Sequence, residues 1–107
     1  MTEPATFSLY NLRITVKEIR GRSVCGMSVG DWFELRNSSQ LVLPEGKHFC
    51  IYALSAVLPL LAAKQRELDK NDWLASDNTI VCPDPEEGLV MRIERLGKVE
   101  LDKNDLT

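Results

Sequence analysis

Around Pro44–Gly46 the hydrophobic pattern of the chain changes period, and few small folds accommodate both patterns. Before this turn, Leu12, Ile14 and Val16 alternate with Arg13, Thr15 and Lys17, the period-two signature of a half-buried strand. Ile19 breaks the alternation by one, which predicts a bulge or twist near Glu18. A second strand is expected over Asp31–Leu35, ended by the turn-forming run Asn37-Ser38-Ser39, and Leu41-Val42-Leu43 forms a short apolar stretch. Gly30, directly before that second strand, is expected to take a positive φ or to admit a close neighbour.

After the turn, Ile51, Leu54, Leu58, Leu61 and Ala62 recur at helical spacing, among alanines that favour a helix intrinsically. The spacing predicts a helix from Phe49 to about Lys64. It is apolar on nearly every side and therefore expected to be central and buried, with a kink at Pro59. Past Lys64 the charged run is expected to emerge into solvent. Asn78–Val81 reads as a short strand, and Pro83 holds Cys82 extended at its end. Leu89, Met91 and Ile93 alternate with Val90, Arg92 and Glu94 and form a last strand after the Glu86-Glu87-Gly88 turn. The expected class is α+β, a small and mostly antiparallel sheet packed on one central, Pro-kinked helix. Residues 1–107 form a single domain, with 1–10 and 97–107 peripheral or frayed.

At 107 residues one core is expected, large enough to stand without disulfides. Thirteen basic against 16 acidic residues give a net charge of -3. Nucleic-acid binding ordinarily needs a basic face, so this balance argues against it. The apolar run from Phe49 to Ala63 is shorter than the roughly 20 residues that cross a bilayer, and Met1-Thr2-Glu3-Pro4 does not open a secretory signal. Three cysteines, an odd number, stay reduced most simply in the cytoplasm. No membrane or nucleic-acid partner is expected; a small molecule, a protein or a second copy of the chain remain open.

Leu68-Asp69-Lys70-Asn71-Asp72 recurs as Leu101-Asp102-Lys103-Asn104-Asp105. Trp73 falls where a calcium loop needs its third ligand, so both copies read as solvated turns or helix ends. Trp32 and Trp73 are expected at the core or its edge.

Chemistry points to the cysteines. Cys50 lies where the turn Gly46-Lys47-His48 passes into the helix, and the unpaired N–H groups of a helix start favour a thiolate. Cys25 sits in a glycine-rich loop and Cys82 at a strand end, both places where sites are built. With His48, the single histidine, the three cysteines make a Cys3His set that suits zinc or another thiolate-bound metal. Asp84, between Pro83 and Pro85, is a candidate catalytic carboxylate beside Cys50, or simply a turn residue. Free cysteines are also common as small apolar core residues.

Three blocks together resemble a family of short, functionally uncharacterised prokaryotic proteins. They are Ile14-Thr15-Val16 through Cys25 to Val29-Gly30-Asp31 and Phe33, then Phe49-Cys50-Ile51-Tyr52-Ala53-Leu54 with Leu58-Pro59, and last Val81-Cys82-Pro83-Asp84-Pro85. The resemblance implies that Cys25, Cys50, Cys82, Gly30, Asp31 and Asp84 belong to a shared pattern, and it implies no activity. Gly26 and Ile51 stand where that family commonly has proline.

Two functions follow from the sequence. One is a cysteine-centred site that holds a metal or uses a reactive thiol on a small molecule. The other is an accessory or interaction module whose cysteines only pack.

Overall fold

The structure, a computed structural model, describes residues 5–76 and 78–106. Strand β1 (Thr6–Ile19) pairs with β2 (Trp32–Arg36), which pairs with β3 (Gln40–Val42). Helix α1 (Ile51–Lys64) follows, then the 3-10 turn η1 (Trp73–Ala75), β4 (Asn78–Val81), β5 (Leu89–Asp102) and the 3-10 turn η2 (Lys103–Asp105). The five strands form one antiparallel sheet in the order β3-β2-β1-β5-β4. The α+β class therefore holds, and β4 and β5 pair antiparallel across the Glu86-Glu87-Gly88 turn.

The period-two pattern decides the two faces of the sheet. Ile14 lies opposite both Phe33 and Ile93, and all three are fully buried with Leu12, Val16 and Met91 beneath the helix. Arg13 lies opposite Glu34 and Glu94 on the other face, where charges of alternating sign neighbour one another. Burying each large aliphatic side chain is worth about 1.5–3 kcal/mol, so the helix-side face dominates the stability. Glu34 is itself nearly buried, and Arg13 and Arg36 each pair with one of its carboxylate oxygens. A register shift between Val16 and Glu18 marks the expected irregularity near Glu18.

Three expectations are corrected. The chain ends at 6–10 and 98–102 are not frayed: Thr6 to Tyr10 pair with Asp102 to Lys98, so β1 and β5 are long partner strands. The period-two signal was present there as well: Phe7 and Leu9 alternate with Thr6 and Ser8 and pair with Leu101 and Val99, and Leu9 is buried. The helix is not buried all round. Ala53, Val57 and Leu61 face the sheet, whereas Ile51, Tyr52 and Leu58 are exposed, because one sheet can cover only one side of a helix. Trp73 is exposed rather than packed, and its neighbour Lys64 is fully buried. The Lys64 ammonium donates to the carbonyls of Leu74 and Ser76 and to Asn78 Oδ1, so its charge is met inside the fold.

The helix runs through Pro59 and ends against β5. There Arg95 donates to the carbonyls of Lys64 and Arg66, which ties the helix C-terminus to the sheet. The repeated pentapeptide makes the same turn twice: Asp69 Oδ1 accepts from Asn71 N, and Asp102 Oδ1 accepts from Asn104 N. Among the described residues no helix is long and apolar enough to cross a membrane.

Candidate functional site

Four chain segments meet where β1 ends, β4 ends, β5 begins and α1 starts. Their meeting depends on backbone contacts. Arg20 N donates to Gly88 O and Gly21 N to Glu87 O, which seats the end of β1 against the turn between β4 and β5. A Cβ on Gly21 would lie 1.8 Å from the Glu86 carbonyl oxygen, so only glycine permits this approach. Cys82 N donates to Leu89 O and closes the base of the same turn.

Cys25 lies in the loop after β1, Cys50 holds the N-cap position of α1 without a side-chain capping bond, and Cys82 follows β4. All three line one pocket of about 420 Å³ together with Val24, Tyr52, Pro83, Asp84 and Glu87. Cys50 and Cys82 are buried and Cys25 partly so, while Val24 and Tyr52 stand exposed at the rim. Cys50 is near enough to Cys25 to contribute to the rise of its thiol. Ser23 Oγ lies 3.4 Å from Cys25 Sγ and also accepts from Met27 N, which fixes the loop around the thiol. None of the three cysteines is in a disulfide.

Glu87 is the residue that sequence reasoning missed. It is 2% exposed, and Cys25 Sγ donates to its Oε2 at 3.4 Å. A turn reading treats Glu86 and Glu87 alike, although Glu86 is exposed. Glu87 lies in the turn before β5, and the positive φ of Gly88 separates it from the strand's alternation, so no periodic signal in the sequence marks it.

Burial pushes the Cys25 thiol above its ordinary value of 9.0; the Ser23 hydroxyl opposes this, and Cys50 and Glu87 add to the rise. Burial raises Cys82 likewise, against a hydrogen bond from the Asp84 backbone N–H, with Glu87 and Cys50 again adding to the rise. Both thiols therefore hold their protons at neutral pH.

Asp84 lies on the pocket wall and is also a turn residue: its Oδ1 accepts from Glu86 N. His48 is placed elsewhere than the zinc expectation requires. Its Nε2 is 2.8 Å from the Cys25 carbonyl oxygen, and its ring passes beside Gly26. It lines a neighbouring cleft with Lys47, Gly30 and Asp31, so it braces the Cys25 loop from behind. Gly30 has the positive φ expected of it, +95°, and its N–H donates to Val16 O. Among the described residues no three His, Cys, Asp or Glu side chains are placed to hold a metal ion. Zinc sites need deprotonated ligands in a closed set, and the donors as arranged do not fit one.

Comparison with protein families, with curated proteins and with solved structures finds no match.

Proposed function

We propose that the chain binds a small molecule in the cysteine pocket and acts on it through a thiol, with Cys50 as the reactive group. The observation that carries this reading is convergence: three cysteines from three separate segments, with a buried carboxylate among them, line a single pocket. Core cysteines have no reason to gather at one pocket wall, whereas a site does. Cys50 occupies the N-cap position of a 14-residue helix that has no acidic side chain in its first turn, and its thiol makes no capping hydrogen bond in the resting fold. Charge developing on its sulfur during attack would meet the unpaired N–H groups of that turn. Cys25 and Cys82, which hold their protons, are suited to donate or resolve rather than to attack first. Asp84 contributes a carboxylate at the mouth. A reducing compartment such as the cytoplasm would keep the site in its thiol form.

The test is alkylation of the folded protein with iodoacetamide, followed by peptide mapping. Cys50 should be modified under native conditions, and Cys50→Ser should remove the fast-reacting site. Three thiols that are inert in the folded protein and react only after unfolding would refute the proposal. The interaction-module reading, through the exposed helix side chains Ile51, Tyr52 and Leu58, would then replace it.

A further inference from the structure

Resting on that reading, we infer that Cys50 and Cys25 work as a dithiol pair that reduces small neutral or cationic organic disulfides, with Glu87 as the proton acceptor for Cys25. Three features of the pocket lead there. The two cysteines come from segments far apart in sequence yet line the same pocket, so an adduct formed on one shares that space with the other. Cys25 already donates its S–H to Glu87 Oε2, so a route for its proton exists before any substrate arrives. The pocket volume falls within the range of small-molecule sites, and Val24, Tyr52 and Pro83 give it an apolar wall suited to alkyl arms.

Charge narrows the substrate further. The lining holds two acidic side chains, Asp84 and Glu87, and no basic one. Lys47 and His48 line the neighbouring cleft instead. An anionic disulfide would be repelled at close range, whereas an amine-bearing one would be drawn toward Asp84 at the mouth.

The chemistry balances in two exchanges. Cys50, having lost its proton to solvent, attacks one sulfur of RS–SR. The S–S bond breaks, a Cys50–SR mixed disulfide forms, and RS⁻ leaves to be protonated from solvent. Cys25 then passes its proton to Glu87 and attacks the Cys50 sulfur. The Cys25–Cys50 bond forms, the Cys50–SR bond breaks, and the second RS⁻ leaves with the proton from Glu87. Two electrons move from the two cysteines to the substrate disulfide, and both halves depart as thiols. A small dithiol, such as dithiothreitol, returns the pair to its reduced state.

Cys82 has no step in this sequence. The bond to Glu87 Oε2 that opens a proton route belongs to Cys25, which makes Cys25 the partner of Cys50.

The experiment treats the reduced full-length chain with excess cystamine without oxygen, then measures whole-protein mass and maps the peptides. Wild type should release both halves of cystamine as thiol and finish with a Cys25–Cys50 link. Cys25→Ser should stop at a stable mixed disulfide on Cys50. Glu87→Gln should slow the second exchange by roughly a hundredfold while sparing the first, the scale expected when a positioned base is lost. Dithiodiglycolate, the anionic counterpart, should react roughly tenfold more slowly than cystamine. A wild-type protein that keeps cystamine on Cys50 without a link, or that links Cys50 to Cys82, overturns the dithiol pair and leaves the Cys50 site standing. A Cys50 that reacts with neither cystamine nor iodoacetamide overturns both.

Discussion

Cys25 Sγ donates to Glu87 Oε2 across 62 residues of sequence, and the bond joins the loop after β1 to the turn before β5. Glu87 adds to the rise of Cys25 and of Cys82, after the larger effect of burial on each. Replacing it with glutamine removes the charge and keeps the shape. In Glu87→Gln the rate–pH profile for alkylating Cys25 should therefore shift to lower pH. An unchanged profile, or one moved to higher pH, would mean that Glu87 does not govern this thiol.

The same two cysteines set a stability change at alkaline pH. A thiol whose value is higher in the folded chain than in the unfolded one binds its proton more tightly when folded. Its contribution is whole below the ordinary value of 9.0 and is lost as pH rises through the folded value. Urea unfolding should thus show stability falling as pH rises above 9.0. The double variant Cys25→Ser, Cys82→Ser should have a shallower fall, and an identical slope in both proteins would contradict the assignment.

At acid pH the sign reverses for Glu34. Burial works to raise its carboxyl, but Arg13 and Arg36 outweigh burial and hold it below its ordinary value of 4.5. Its contribution is present above the unfolded value and is lost as pH falls through the folded one. Glu34→Gln should cost about 1–3 kcal/mol at neutral pH, because the two arginines lose their partner. Its acid unfolding should be less steep than wild type, which urea titrations from pH 7 to 2 will read.

Lys64 should be among the costliest polar positions to change. Lys64→Met keeps most of the buried stem and strips hydrogen bonds from Leu74 O, Ser76 O and Asn78 Oδ1. The loss should be about 2–4 kcal/mol in urea unfolding, the scale of several acceptors left unpaired. A variant as stable as wild type would show that these carbonyls find water instead.

Two glycines separate steric from conformational cost. Gly30→Ala meets nothing within 4 Å and suffers only from its φ of +95°, so about 1–2 kcal/mol should be lost. Gly21→Ala must push the Glu86 carbonyl aside, which should cost at least about 3 kcal/mol and displace Glu87 from Cys25. Comparing the two variants by thermal unfolding and by Cys25 alkylation distinguishes damage at the pocket from general destabilisation.

The sheet was legible because alternation at Leu12–Val16 and Leu89–Ile93 is a backbone property that survives without context. The helix was legible in place but not in burial. Ile51 and Leu58 look like core residues in sequence, and only the single sheet layer beneath the helix shows that no second surface covers them. Cys25, Cys50 and Cys82 were recognisable as residues at element ends, whereas their common pocket depends on Gly21 and on the register of β1 with β5. His48 and Glu87 exchanged roles for a physical reason. The histidine follows a turn that faces the neighbouring cleft, and the glutamate is carried into the pocket by the turn before β5, where Gly21 N donates to its carbonyl. Lys64 was invisible because two of its acceptors, the Leu74 and Ser76 carbonyls, are backbone groups that carry no residue signature.

The central claim is that three cysteines face one accessible pocket, and titration of the reduced, folded protein with phenylarsine oxide tests it most directly. A trivalent arsenic bridges two thiols only when both can reach it. The account predicts one arsenical per chain with two thiols consumed, and loss of that complex in Cys50→Ser. A folded protein that binds no arsenical, while all three thiols titrate after unfolding, would contradict it.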